Sequence, residues 1–287
     1  MNCLTENRMR ARLSLVAILL AVALAGLGAG FAATNVPFKR ADSRPGAIPV
    51  DVELVLAVDI SYSMDPDEQA LQREGYIAAL TSREFMQALK QGINAKVAVT
   101  YFEWAGSHHQ QIIVPWRLID GPESADGFAA DIARAKYTRA ARTSISAALA
   151  FAMPLFEGSG YKGLRRVIDV SGDGVNNNGP PVTLVRDEVL AKGITINGLP
   201  IMLKRPNLGG MDIESLDIYF EDCVIGGPGA FVIGIREREK FKEAIRTKLL
   251  LEIAGRTPQP RIVPASADKP RVSCTIGERL WQQRWGN

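Results

Sequence analysis

Histidine is nearly missing, with two in 287 residues, and cysteine is scarce, with three. A zinc site would be short of ligands, and no paired Cys-x-x-Cys, Gly-x-x-x-x-Gly-Lys-Ser/Thr phosphate loop or Gly-x-Ser-x-Gly elbow occurs. An excess of one charge sign is lacking too. The 34 Lys and Arg stand against 31 Asp and Glu, a net charge of +3, which argues against nucleic acid as a partner. No unit of about 20 to 50 residues recurs, so a repeat architecture is excluded. What is present is ordinary globular composition, 47% hydrophobic and 23% charged, with apolar side chains enough for a full core.

Only one apolar run is long. It spans residues 13–33, follows Arg8, Arg10 and Arg12, and ends in the small-residue pattern Gly30-Phe31-Ala32. Residues 1–32 read as a secretory signal peptide cut after Ala32; the other reading of the same run is an uncleaved membrane anchor. Either way the remainder is expected outside the cytoplasm, periplasmic or secreted, with no membrane span left after cleavage. Cys3 departs with the signal, so Cys223 and Cys274 remain. An even pair in an oxidising compartment predicts a disulfide that staples the C-terminal tail to the domain. Its reduction is expected to loosen the tail and to spare a site built at the strand ends.

Residues 33–50 carry three prolines and no hydrophobic period, and read as a linker. The body, 51–255, alternates strand and helix. Apolar runs at 52–58, 96–102, 111–116, 166–171, 194–201 and 230–235 predict strands, and residues 69–80, 83–91, 124–135, 144–156, 182–192 and 237–254 predict helices. Asp65-Pro66-Asp67-Glu68 reads as an N-cap, a first-turn proline and a capping-box acid. This alternation predicts a doubly wound α/β fold, a mostly parallel sheet with helices on both faces. Residues 256–287 form a C-terminal extension, expected to dock through Leu280, Trp281 and Trp285.

In such sheets ligands bind where the strands end at their carboxyl termini. The first strand is followed by Asp59-Ile60-Ser61-Tyr62-Ser63. One carboxylate and two hydroxyls at alternate positions offer hard oxygen ligands for a small divalent cation, whereas plain helix capping is already served by Asp65. Glu103 and Trp104, at the end of the second strand, are candidates for partner contact or for packing. His108 and His109 follow them, near enough to serve as a base on an enzyme reading, and otherwise read as a solvated loop. Asn176 to Asn178 with Gly179-Pro180-Pro181 read as a rigid loop beside Asp173, shaping specificity or serving turn chemistry alone.

The pattern Asp-x-Ser-x-Ser resembles the metal-ion-dependent adhesion site of von Willebrand factor type A domains. The resemblance extends to Thr143, ahead of the alanine-rich helix, and to Asp173-Gly174 after the following strand. Tyr101-Phe-Glu-Trp-Ala and Val170-Ser-Gly-Asp-Gly are similar to an exported proteobacterial branch of unknown function carrying this domain. Ala141 and Arg142 stand where the family often has glycines, and Ser171-Gly172 intervenes where it usually runs Thr-Asp-Gly. Asp169 is a rival for Asp173, but it falls inside the strand, and its other reading is a buried, hydrogen-bonded carboxylate.

The resemblance implies one cation, magnesium with manganese or calcium as alternatives, held by Asp59, Ser61, Ser63, Thr143 and Asp173. Three neutral hydroxyls would leave the ion electrophilic, with one position open to a carboxylate presented by a partner protein. The expected function is metal-dependent protein binding without catalysis. The alternatives are a metal-dependent hydrolase, which needs a base that the sequence offers poorly, or a structural subunit of an envelope complex.

Overall fold

A computed structural model describes residues 46–203, 213–255 and 271–286. The segment read as a signal peptide, most of the linker and the proline-rich stretch near residue 260 lie outside the described residues. β1 (Ile48–Asp59) starts three residues before the expected domain boundary and is buried along almost its whole length. A strand buried on both faces needs the near-continuous apolar run that residues 52–58 supply. Glu53, the one charge in that run, is buried with its needs met: it accepts from Gly163 N–H at 2.8 Å and from the Ser159 hydroxyl at 2.7 Å.

α1 (Pro66–Leu80) opens on the expected capping box, with Asp65 accepting from Glu68 N–H and Glu68 returning to Asp65 N–H. α2 (Arg83–Lys90) is capped by Ser82. β2 (Val97–Trp104), β3 (Gln110–Ile119), α3 (Pro122–Arg134), α4 (Ile145–Leu155), β4 (Tyr161–Gly172), α5 (Val182–Ala191) and β5 (Thr195–Pro200) follow. After them come α6 (Leu216–Tyr219), a π-helical turn at Phe220–Val224, α7 (Phe241–Ala254) and α8 (Ile276–Trp285). The strands lie in the order β3-β2-β1-β4-β5, parallel except for β3, which runs antiparallel to β2.

Alternation along β1 divides the core. Leu54, Leu56 and Val58 face α1, α2, α3 and α7 through Tyr76, Phe85, Phe128 and Phe241. Val55 and Ala57 face α4, α5 and α6 through Leu149, Phe156, Val185 and Tyr219. The doubly wound reading is therefore correct, and the central strands β1 and β4 end side by side.

The expected last strand, 230–235, forms only isolated bridges, Val232 to Gly198 in β5 and Ile235 to Ile201 just beyond it. Pro200 explains the gap. Gly198 N–H donates to Phe231 O and Met202 N–H to Ile235 O, but Pro200, between them, has no N–H to give. Cys223 lies in the π-helical turn. Its disulfide to Cys274 is formed, with the Cα atoms 5.4 Å apart.

Candidate functional site

Asp59 is the last residue of β1, and its side chain is fully buried at the point where the chain turns toward α1. Oδ1 accepts from Ser61 N–H at 2.7 Å, whereas Oδ2 is buried with no hydrogen-bond partner among the described residues. Gly172 ends the neighbouring strand β4, and a β-carbon there would come within 2.9 Å of Asp59 Oδ2. Glycine is thus what lets the carboxylate lie against β4, which accounts for the departure at Ser171-Gly172.

From Asp59 the oxygens run outward in a chain. The hydroxyls of Ser61 and Ser63 are 2.7 Å apart, and Ser63 donates to Asp173 Oδ1 at 2.6 Å. Because Ser63 gives its one proton to Asp173, the Ser61 hydroxyl is the donor in the first of these bonds.

Thr143 arrives from the segment between α3 and α4. That segment is tied to the first loop by Tyr62 N–H on Ala140 O at 3.0 Å and Ala140 N–H on Ile60 O at 3.2 Å, and to the end of β2 by Ser144 N–H on Ala105 O at 2.8 Å. The Thr143 side chain is buried against Gly174, with Oγ1 3.6 Å from where a β-carbon of Gly174 would stand. All five expected ligands thus come together at one end of the sheet. Asp169 does not join them: it is fully buried, with the Lys248 ammonium 2.6 Å from Oδ1.

Burial holds the Asp59 carboxyl well above the usual carboxylate range, and the nearby charge of Asp173 adds to it, while hydrogen bonding from Ser61 and from the Asp173 backbone N–H acts the other way. A cation at this position would offset both the burial and the repulsion, and would occupy the unpartnered Oδ2. Two carboxylates and three hydroxyls suit a hard oxygen-loving ion. Among the described residues no group of three or more His, Cys, Asp or Glu side chains that could hold a metal ion occurs.

Two expected contact residues need correction. Glu103 and Trp104 are both buried. Glu103 accepts from Arg73 Nε at 2.9 Å and from its terminal nitrogen at 2.7 Å, and Arg73 also donates to Ala135 O and Lys136 O. A carboxylate removed from water needs such pairing, and neither side chain is left to meet a partner. The Asn176 to Asn178 loop, by contrast, does more than turn. Asn177 brackets Thr143, its Oδ1 accepting from Thr143 N–H at 3.0 Å and its N–H donating to Thr143 O at 2.9 Å. Asn178 O accepts from the Ser144 hydroxyl, and Asn176 Oδ1 from Ser146 N–H. Three consecutive amides beside Asp173 were the visible signal; their targets were not.

The sheet order and the helices on both faces define a von Willebrand factor type A-like α/β fold, with oxygens gathered at the carboxyl ends of its central strands. Residues 49–257 match the family described as "Protein of unknown function (DUF1194)", and the chain belongs to that family. No curated protein matches. Among solved structures, proximal thread matrix protein 1 from the mussel byssus is similar at 12% identity and a TM-score of 0.52, over 72% of this chain and 49% of that one. The pilus adhesin SpaC from Lactobacillus rhamnosus GG is similar at 12% identity and a TM-score of 0.53, over 74% of this chain and 31% of that one. At such identity the likeness concerns the fold, and this chain spans half or less of each of the two. Among the described residues no helix is long and apolar enough to cross a membrane.

Proposed function

We propose that the chain is an exported protein-binding module whose Asp59, Ser61, Ser63, Thr143 and Asp173 hold one divalent cation, magnesium or a close relative. The observation that carries this reading is the Asp59 carboxylate, fully buried beside a second carboxylate, with Oδ2 unpartnered. A buried charge without a partner is destabilising unless a ligand answers it. The two aspartates supply the negative charge, and the serine and threonine hydroxyls add neutral oxygens that do not quench an ion. Bound there, the ion supplies an electrophilic position that a partner's carboxylate can occupy. Export rests on the residue 1–32 pattern.

Binding is favoured over catalysis because the acid closest in sequence to a base role, Glu103, is committed to Arg73. A pilus adhesin with this fold accords with a role in adhesion.

Calorimetric titration with magnesium and manganese tests the site. The unaltered protein should bind one ion and release it to chelator, and Asp59→Asn and Asp173→Ala should lose binding by 100-fold or more, on the order of 3 kcal/mol. Asp59→Asn keeps the shape and removes a desolvated charge, so without metal its melting temperature should be no lower than that of the unaltered chain. Equal affinity in the variants would show that the assignment is wrong.

A further inference from the structure

The tail was expected to be independent of the strand-end site, but α8 is seated on it. Gly277 lies against the loop that follows Asp173-Gly174: a β-carbon there would come within 2.1 Å of Asn176 O and 2.6 Å of Val175 Cγ2. Only glycine permits that approach. Glu278 Oε1 accepts from Asn176 Nδ2 at 2.8 Å. One turn further on, the Trp281 ring lies under the Arg142 guanidinium, 3.1 Å from it.

Arg142 directly precedes Thr143. It has a φ of 75°, in the left-handed region that favours glycine, so its conformation has to be held by its surroundings. α8 therefore touches both segments that present the site's oxygens, the one before Thr143 and the one after Asp173. Asn176 links the two: it is buried, it receives Ser146 N–H from the start of α4, and its own N–H donates to the Tyr219 hydroxyl at 3.2 Å.

The strongest tie on α8 is covalent. A ten-residue helix that fully buries only Gly277, with Ile276 half-buried against the core, has little burial or length of its own to hold it. Cys274 stands two residues before it and is bonded to Cys223, four residues beyond Tyr219. Val272 and Ile276 pack half-buried against the core, and Arg271 pairs with Asp222 at 2.7 Å and Glu221 at 2.6 Å on the surface, where ion pairs contribute little.

We propose that α8 is a clasp on the cation site: the Cys223–Cys274 disulfide keeps the helix against the segments that position Thr143 and Asp173, and opening it weakens divalent-cation binding. This rests on the cation reading above. Glu278 and Trp281 are positioning residues, acting through Asn176 and Arg142. Reduction by a dithiol delivers two electrons and two protons to the bond, leaving thiols at Cys223 and Cys274 while the reductant closes to a cyclic disulfide.

The test is a calorimetric titration of the full chain with Mn2+ alone. The oxidised protein is compared with protein reduced by dithiol, thiol-blocked and desalted, and with Cys274→Ser, Glu278→Ala and Glu278→Gln. Reduction and Cys274→Ser should weaken binding by roughly tenfold, the scale of outer contacts around a metal site. Glu278→Ala should weaken it several-fold with an unchanged melting temperature in chelator, and Glu278→Gln, which keeps an acceptor oxygen, should restore it. In metal-free protein the amides of Thr143 and Asn177 should exchange faster after reduction, while those of Leu56 and Ile168 in the sheet do not. Equal affinity in all forms, or unchanged exchange at Thr143, would overturn the clasp alone. Absence of Mn2+ binding by the oxidised chain would overturn the cation reading and this inference with it.

Discussion

Lys248, on α7, is fully buried with its ammonium 2.6 Å from Asp169 Oδ1 and 2.5 Å from Glu252 Oε1. Two carboxyls share one cation in the core. Burial, then the charge of Asp169, pushes Glu252 up from 4.5 to about 7, with Lys248 acting against both. Burial raises Asp169 as well. An acid whose folded pKa lies above its unfolded one binds its proton more tightly in the fold. Its contribution to stability is therefore full below pH 4.5, falls as pH rises toward 7, and is level beyond. Urea unfolding across that window should show this decline, and Glu252→Gln should flatten it. Lys248→Met leaves the carboxyls without their cation and should lower stability by about 3 to 5 kcal/mol at neutral pH. The sequence left Asp169 as a rival ligand or a buried, hydrogen-bonded carboxylate; burial bears out the second reading, but the partner was not legible. Its true partner is 79 residues away, on a helix that only the doubly wound topology brings beneath β4.

Among elements, the loop after β4 matters as much as the strands. Asn177 holds Thr143 by two hydrogen bonds to its backbone. Asn177→Ala removes the side-chain bond and should weaken cation binding by roughly tenfold, the usual effect of losing a contact that orients a ligand. Asn177→Asp keeps an acceptor for Thr143 N–H and should recover most of the affinity. Manganese titration of both variants checks this, and equal affinity in Asn177→Ala would remove Asn177 from the site. The helices were readable because their signals are local: Asp65 and Glu68 form their capping box within four residues, and Ser82 caps the next helix. The strand expected at 230–235 was misread because a ladder needs donors on its partner, and Pro200 of β5 has none.

On the scale of the molecule, the disulfide closes a separation of 51 residues. Removing it as Cys223→Ser with Cys274→Ser should lower stability by up to about 4 kcal/mol in the chain-entropy account. Denaturant unfolding of the oxidised chain against the double variant measures it. A difference under about 1 kcal/mol would mean that the unfolded chain is not what the bond restrains. The pairing of these two cysteines followed from their number and the expected compartment; that the tail they hold lies on the strand-end site did not.

The order of apolar runs and capping residues in the sequence determined the α/β class, the place of Asp59, Ser61 and Ser63 after β1, and the candidacy of Thr143 and Asp173, because periodicity and caps act within a few residues. Tertiary structure alone decided that Glu103 belongs to Arg73, that Asp169 belongs to Lys248, and that Asn177 and α8 hold the oxygens in place. The two carboxylate pairings depend on distant segments meeting in a region poor in water, where an unpaired carboxylate is costly. Which partner is near enough to answer that cost is settled by how the sheet and its helices stack, not by neighbours along the chain.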